Sequence, residues 1–170
     1  MTPAPSEVTI RPARPEDVPA VVAMVHELAE FERAPEQCHL TEPQLHAALF
    51  AAQPALFGHV AVDAGGEIIG YALWFLNFST WEGVHGIHLE DLYVRPAARG
   101  TGAGRLLLTT LARICVDRGY QRLDWWVLHW NPARDFYGAL GATVMDEWLP
   151  YRLSGAALHK LATGEPAERG

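Results

Sequence analysis

Three glycines at alternate positions, Gly100, Gly102 and Gly104, stand where an apolar strand-like run gives way to a helix-like pattern. The run covers residues 92–94, and apolar side chains recur with helical spacing from Leu106 onward. The first backbone N–H groups of a helix lack internal partners and carry the positive end of the helix dipole. The junction therefore predicts a binding site for phosphate oxygens.

The glycine spacing separates this loop from two common phosphate-binding motifs. A P-loop needs a Lys-Ser or Lys-Thr pair after its last glycine, whereas Arg105 and Leu106 stand there. A dinucleotide-binding fingerprint needs Gly-x-Gly-x-x-Gly, whereas Gly100, Gly102 and Gly104 occupy every second position. A Walker-type NTPase and a Rossmann site are both disfavoured, and an ordinary flexible turn before a helix remains the alternative.

These residues are positioned by a predicted series of short strands and amphipathic helices. Apolar runs predict strands at residues 8–11, 57–62, 67–78, 87–95, 122–128, 143–148 and 151–153. Helical spacing and capping signals predict helices at residues 15–33, 41–50, 104–118 and 132–140. Among these signals are a capping box at Thr41 and Gln44 and a C-terminal Gly119 after the third helix. This order predicts an α/β (α+β) fold, in which helices flank a mixed and mostly antiparallel sheet.

The chain length predicts a single domain over residues 1–170 with an ordered core at about 8–162, because 170 residues suit one buried core. No apolar run is long enough to cross a bilayer. No basic-then-apolar signal segment opens the sequence at Met1–Ser6. We therefore expect a cytoplasmic protein without a membrane partner.

Charge and cysteine content narrow the possible functions. The formal net charge of −7 argues against a nucleic-acid partner and is compatible with a cationic substrate. Cys38 and Cys115 lie far apart, and neither belongs to a Cys-x-x-Cys motif. Neither a disulfide framework nor a metal site is predicted.

The pattern Arg99-x-x-Gly102-x-Gly104, behind a strand that carries Tyr93 and Val94, resembles the acetyl-CoA pyrophosphate signature of the GNAT superfamily of N-acetyltransferases. The predicted order of elements is similar to the GNAT fold over nearly the whole chain. The resemblance implies acetyl-CoA as co-substrate. The cofactor-binding residues that it implies are Leu92, Tyr93, Val94, Arg99, Gly100, Thr101, Gly102, Ala103, Gly104, Arg105, Asn131 and Tyr137.

Further blocks are similar to the diamine acetyltransferases, the spermidine/spermine and thialysine group. They read HELAEFE at residues 26–32, LEDLYV at 89–94 and WNP at 130–132. This likeness extends over about residues 8–161 and implies a homodimer. Ser79 stands where the polyamine enzymes carry an acidic residue, so the likeness does not name the amine.

Acetyl transfer from a thioester to an amine needs an uncharged amine, a polarised carbonyl and a proton for the departing thiolate. An alkylamine has a pKa of about 10.4, so only about one molecule in a thousand is uncharged at neutral pH. Strand alternation puts Glu90 and Leu92 on one face and Leu89 and Asp91 on the other. The resemblance favours Glu90 as the general base, directly or through water, with a solvated or ion-paired carboxylate as the alternative.

Tyr137 is the candidate general acid, because a phenol with a pKa of about 10 can donate a proton to a thiolate of comparable basicity. An ordinary core tyrosine is the alternative, and the family spacing of Asn131 and Tyr137 favours the catalytic role. Asn131 would bind the pantetheine arm, cap the helix that Pro132 opens, or both. The resemblance implies that a backbone N–H near Leu92 polarises the carbonyl at a splayed strand edge.

Substrate binding is assigned to Glu32, Trp81, Glu90 and Asp91. Glu32 matches an acidic position of the family, and Asp91 would bind the cationic substrate or brace a loop. The Trp81 ring would contact an ammonium group, with loop packing as the alternative. Arg99 would pair with the pyrophosphate, with a solvent-facing loop position as the alternative.

The sequence thus predicts an acetyl-CoA-dependent N-acetyltransferase that acetylates a primary amine of a small cationic molecule by direct transfer. The substrate classes that the resemblance implies are a polyamine, a diamine or a thialysine-like amino acid. One alternative is an acetyltransferase of the same fold that modifies protein amines. The other is a non-catalytic acyl-CoA sensor, in which Glu90 and Tyr137 do no chemistry.

Overall fold

The computed structural model describes residues 7–166. The predictions for residues 1–6 and 167–170, including the absence of a signal segment at Met1–Ser6, lie outside this range. Backbone contacts divide the chain into an N-terminal unit, Met1–Leu128, and a C-terminal unit, His129–Gly170. The single domain over residues 1–170 stays a prediction.

A five-stranded sheet forms the centre of the N-terminal unit. Its strands are β1 (Thr9–Pro12), β2 (Phe57–Val62), β3 (Ile68–Ser79), β4 (Val84–Val94) and β5 (Leu123–Trp125). They lie in chain order, with β1 to β4 antiparallel and β5 parallel to β4. The predicted sheet, mixed and mostly antiparallel, is confirmed, although β5 is shorter than the predicted strand at 122–128.

Three α-helices of this unit flank the sheet. They are α1 (Val18–Phe31), α2 (Glu42–Phe50) and α3 (Ala103–Arg118). The predicted capping box of α2 is present, because the Gln44 N–H donates to Thr41 Oγ1 at 3.4 Å and the Thr41 N–H donates to Gln44 Oε1 at 3.0 Å. Gly119 ends α3 with a φ of 75°, as the sequence predicts.

Both faces of the sheet are covered by helices. Four successive residues of β3, 71–74, are buried, so each face contributes to the core. Side chains of α1 and α2 pack in one cluster with Tyr71, Leu73 and Tyr93. The helix α3 contacts β3 and β4 and supplies its own fully buried side chains, including Leu107.

A β-bulge interrupts β4 at Glu90. Leu73 of β3 lies opposite Asp91, whereas the next β3 residue, Trp74, lies opposite Leu89. Glu90 therefore has no partner in the register, and the alternation of side chains shifts by one residue beyond it. The prediction that Leu89 and Asp91 share a face is wrong, because it assumed a regular strand.

Within the described part of the C-terminal unit the regular elements are two helices, α4 (Ala133–Ala139) and α5 (Gly155–Thr163). The sequence did not predict α5. The strands predicted at residues 143–148 and 151–153 are not formed. A strand needs a neighbour to pair with, and the apolar side chains of these segments are largely exposed instead; for example, Tyr151 is 92% exposed. Across residues 7–166, no helix combines the length and the apolar character that a membrane span needs.

Candidate active site

The glycine loop between β4 and α3 has the predicted geometry of an anion site. Gly100 and Gly102 have φ angles of 85° and 84°, a left-handed conformation that side chains disfavour. Gly102 directly precedes α3, whose first N–H groups, from Ala103 to Arg105, have no carbonyl one turn earlier to donate to. The helix α3 has sixteen residues, and their aligned peptide dipoles place partial positive charge at this end. Such a helix start binds phosphate oxygens readily.

The other polar residues of the loop are placed as follows. The Thr101 hydroxyl donates to the Ala98 carbonyl at 2.7 Å and so holds the turn. Arg99 Nε donates to the Val94 carbonyl at 3.3 Å, and its guanidinium lies 5.5 Å from the centre of the Phe31 ring. Arg99 is therefore tied to β4 and α1 at the loop, and its contact with a pyrophosphate stays a prediction.

The strand β4 is open on one side over its last five residues. β5 pairs with β4 only from Ile87 to Leu89 and ends at Trp125. Residues 90–94 pair with β3 on one side and, among the described residues, with no strand on the other. This is the splayed edge that the resemblance implied and that the sequence alone does not show.

The backbone of the open segment presents its donors to the open side. The Arg95 N–H donates to the Ile69 carbonyl of β3 at 2.9 Å. Because backbone groups alternate in direction along a strand, the N–H groups of Leu92 and Val94 point away from β3. The bond from Arg99 to the Val94 carbonyl agrees with this direction. An extended chain can add along such an edge, and the Leu92 N–H can donate to a carbonyl there.

Two other carboxylates act electrostatically on Asp91, which lies on the open segment. Burial, reinforced by the negative charges of Glu90 and Glu32, raises the pKa of Asp91 to about 6. Burial also raises the pKa of Glu32, which follows α1. These two charges act on Asp91, so each lies within electrostatic range of it. The structure thus places Glu32 and Glu90 within electrostatic range of Asp91, and we call these three residues the acidic site.

Tyr71 is part of this acidic site, and sequence reasoning missed it. Its side chain is fully buried, and its hydroxyl donates to Asp91 Oδ2 at 3.4 Å. Burial, followed by the Asp91 and Glu32 charges, raises the pKa of Tyr71 well above its ordinary value, so the phenol remains a donor. The sequence alone does not indicate this role, because the position of Tyr71 opposite Tyr93 follows from the strand register.

The acidic site suits a cation. Ionising Asp91 in a partly buried place beside two other carboxylates is unfavourable, which is why its pKa is high. An ammonium group among these carboxylates reverses that balance, because it supplies the missing positive charge. No group of three or more metal-ligating side chains is found in the part of the chain that the structure describes.

The hairpin between β3 and β4 carries the remaining predicted substrate contact. Trp81 lies in the turn and is 90% exposed. Ser79, by contrast, is buried, and its hydroxyl accepts the Glu82 N–H at 3.1 Å, which stabilises the turn. The role of Trp81 in ammonium binding stays a prediction.

The C-terminal unit holds the other two predicted residues on or beside α4. Asn131 Oδ1 accepts the Ala133 N–H at 2.9 Å and so caps the start of α4, as one sequence reading proposed. Tyr137 lies on α4 and is partly buried, with its ring centre 5.6 Å from that of Phe136. Its role as a general acid stays a prediction.

Known proteins resemble this chain in both sequence and structure. A thialysine N-epsilon-acetyltransferase from Bos taurus is 37% identical over 91% of this chain and 97% of that protein. An L-ornithine N5-acetyltransferase from Arabidopsis thaliana is 30% identical over 89% of this chain and 86% of its own length. An integron cassette protein from V. cholerae, solved as a structure, has a TM-score of 0.76 at 29% identity and covers 91% of this chain and 97% of its own.

The family comparison agrees with the geometry. Residues 22–142 match the acetyltransferase (GNAT) family, and this range includes the acidic site, the open strand edge, the glycine loop and α4. The predicted fold class is confirmed by this match and by the solved neighbour. This match and the curated relatives show that the chain belongs to the acetyltransferase (GNAT) family of enzymes.

Proposed function

We propose that this enzyme transfers the acetyl group of acetyl-CoA directly to a primary amine of a small cationic molecule, a diamine or a thialysine-like or ornithine-like amino acid. The observation that carries the proposal is that Glu32 and Glu90 both act electrostatically on the partly buried Asp91, which lies on the open edge of β4. Relatives that acetylate thialysine and ornithine support the same substrate class.

The three carboxylates divide between recognition and proton transfer. A diamine carries two ammonium groups at neutral pH, of which one must lose a proton and the other stays charged. We assign binding of the ammonium group that stays charged to Asp91 and Glu32. Their carboxylates are partly buried, so a cation beside them stabilises their ionised forms most. We propose that Glu90 removes the proton of the reacting amine. Glu90 lies on the bulge and is exposed, so a water molecule can carry the proton to it.

The acetyl donor is bound by the loop and the open edge. The first N–H groups of α3 hold the pyrophosphate of acetyl-CoA, and the pantetheine arm extends along residues 90–94. The Leu92 N–H donates to the thioester oxygen, which becomes an oxyanion when the amine nitrogen bonds to the carbonyl carbon. When the carbon–sulfur bond breaks, the thiolate of coenzyme A leaves and takes up one proton.

We propose that the Tyr137 hydroxyl donates this proton to the thiolate. The assignment rests on the family spacing of Asn131 and Tyr137 and on the matching basicity of a phenol and a thiolate. The hydrogen bond that the Ala133 N–H donates to Asn131 Oδ1 fixes the start of the helix that carries Tyr137, which supports a defined position for the Tyr137 backbone. The measurement that checks it is the rate of coenzyme A release in Tyr137→Phe, which keeps the ring and removes the proton donor.

We further propose that the chain acts as a homodimer in the cytoplasm, without nucleic-acid or membrane partners. Support for the dimer comes from the exposed apolar side chains of the C-terminal unit, which water disfavours. They are Val144, Met145, Trp148, Leu149 and Tyr151. Sedimentation equilibrium at micromolar concentration tests this directly, with a twofold chain mass expected and a single chain mass as the contradicting result.

The experiment that tests the proposed function measures release of the coenzyme A thiol from acetyl-CoA with a panel of amines. The panel contains thialysine, ornithine, lysine, diaminobutyrate, spermidine and a peptide with one free amine. We expect turnover on a small diamine or diamino acid and its collapse in Glu90→Gln and in Tyr137→Phe. Turnover confined to the peptide would favour a protein acetyltransferase, and acetyl-CoA binding without turnover would favour a sensor.

A further inference from the structure

A cavity of about 300 Å³ lies in the N-terminal unit, between the end of α2, the start of β2 and the end of α3. The walls are mostly apolar and aromatic, with two polar side chains among them. The lining residues that matter here are Leu49, Phe50, Phe57, Trp74, His59 and Arg118. None of them belongs to the acetyl-transfer site described above.

The cavity is also remote from that site. The helix α3 begins at the glycine loop with Ala103 and ends with Arg118, which lines the cavity. At about 1.5 Å per residue, the helix separates its two ends by about 22 Å. A ligand in the cavity therefore does not compete with the pyrophosphate of acetyl-CoA.

His59 gives the cavity a neutral hydrogen-bond donor. Its residue is only 9% exposed, and the Trp74 indole N–H donates to its Nδ1 atom at 3.0 Å. An indole nitrogen can only donate, so Nδ1 carries no proton, and the neutral ring carries its proton on Nε2. Burial lowers the pKa of His59, which favours this neutral form. Among the described residues, none accepts a hydrogen bond from Nε2.

Arg118 gives the cavity a positive charge. Its guanidinium lies 5.9 Å from the centre of the Trp74 ring and 5.9 Å from that of Tyr120. It forms no ion pair within residues 7–166, and no carboxylate lines the cavity. The Phe57 ring stacks on the Trp74 ring with centres 4.7 Å apart, and Trp74 is only 2% exposed. Of these two rings, Phe57 therefore offers most of the accessible aromatic surface beside Arg118.

We propose that this cavity binds a small aromatic carboxylate. The ring of the ligand would pack against Phe57, which in turn stacks on Trp74, as planar groups do on aromatic side chains. Its carboxylate would accept from His59 Nε2 and pair with the Arg118 guanidinium. The volume lies at the lower end of the range for small-molecule sites, which fits a ligand with one ring. One guanidinium and one neutral donor suit a single negative charge better than a phosphate dianion.

The test is a titration of the full-length protein with benzoate, followed by NMR spectra of the ¹⁵N-labelled tryptophan indole groups. The Trp74 signal is assigned by its absence in Trp74→Phe. We expect a saturable shift of the Trp74 indole signal with benzoate and none with benzylamine, which has a similar shape and the opposite charge. No saturable shift of this signal at millimolar benzoate overturns the proposal, and so does an equal response to benzylamine.

Two variants test the charged contact. Arg118→Gln removes the guanidinium, and we expect it to weaken benzoate binding about fivefold, the size of one exposed ion pair. Arg113→Gln removes an exposed arginine of the same helix that does not line the cavity, and we expect unchanged binding. Thermal unfolding of both variants controls for stability. Equal weakening in the two variants overturns the assignment of the carboxylate to Arg118.

Discussion

One strand, β4, has a closed half at residues 87–89 and an open half at residues 90–94, and the surroundings of these halves differ. Residues 87–89 pair with β3 on one side and with β5 on the other. Residues 90–94 pair with β3 alone in the described chain, and they carry Glu90, Asp91 and the outward N–H of Leu92. The bulge at Glu90 marks the change. A fully paired strand segment can only stabilise the fold, whereas one free edge leaves backbone donors for a substrate.

The comparison predicts opposite effects for proline in the two halves. Leu92→Pro removes the N–H that we assign to the thioester carbonyl, and we expect kcat to fall about 10²- to 10³-fold, as for loss of an oxyanion donor. The fold should survive, because proline is tolerated where the N–H faces an open edge. Coenzyme A release and urea unfolding measure the two effects. Leu92→Ala is the matched control, because it removes the side chain and keeps the N–H.

The other half of this prediction concerns Ile87. Its N–H donates to the Arg122 carbonyl at 3.1 Å, so Ile87→Pro breaks the ladder and should lower the free energy of unfolding by about 3 kcal/mol or more. Ile87→Val keeps the N–H and should cost about 1 kcal/mol. If Leu92→Pro destabilises the protein as much as Ile87→Pro does, the N–H of Leu92 does not face an open edge, and the difference between the two halves is contradicted.

Asp91→Asn sharpens the comparison at the open half. This variant removes one carboxylate of the acidic site, and we expect KM for the amine to rise about tenfold or more, as for loss of a charge-assisted hydrogen bond. The KM for acetyl-CoA should not change. Steady-state kinetics with each substrate varied in turn measures both. Glu30→Gln, on the exposed surface of α1, is the control, and an equal rise in KM there would contradict a specific role for Asp91.

The same substitution should make the protein more stable at neutral pH. The pKa of Asp91 is raised to about 6 in the folded chain. At pH values between the unfolded pKa and about 6, the folded protein therefore holds a proton on Asp91 that the unfolded chain has lost. The stability contribution of Asp91 is therefore lost as pH rises through that window. We expect Asp91→Asn to exceed the wild type by about 1–3 kcal/mol at pH 8 and by much less near pH 4. Urea unfolding at both pH values checks this, and a difference that does not depend on pH would contradict it.

The glycine loop after the open half offers the smallest effect. Gly102 has a φ of 84°, so Gly102→Ala should cost about 1 kcal/mol of unfolding free energy. Gly104 lies inside the first turn of α3, where alanine is the better helix former, so Gly104→Ala should gain up to about 1 kcal/mol. Thermal unfolding of the two variants measures the opposite signs. Equal signs would show that the left-handed start of α3 is not maintained in solution.

Local features were predictable from the sequence, because they depend on neighbouring residues. The glycine loop, the capping box at Thr41 and Gln44, and the left-handed Gly119 follow from the preferences of a few adjacent positions. The grouping of Glu32 with Asp91 was available only through the family resemblance, because these residues lie on different elements. The C-terminal strands were predicted wrongly, because apolar spacing alone does not supply a pairing partner.

Features that depend on register were not predictable. The bulge at Glu90 changes which face Asp91 occupies, and only the pairing with β3 reveals it. Tyr71 donates to Asp91 from a neighbouring strand, so its place in the acidic site also requires the register. The free edge over residues 90–94 depends on where β5 ends, which the predicted strand at 122–128 placed three residues too late.

The backbone amide signals of Leu92 and Ile87 test the central claim most directly. The measurement is a titration of the ¹⁵N-labelled protein with acetyl-CoA, followed by NMR. If the open half of β4 receives the acetyl donor, the Leu92 amide shifts downfield as its N–H gains an acceptor, together with the amides of residues 100–105, while the Ile87 amide stays in place. Saturation of the loop amides with no change at Leu92 would contradict the account.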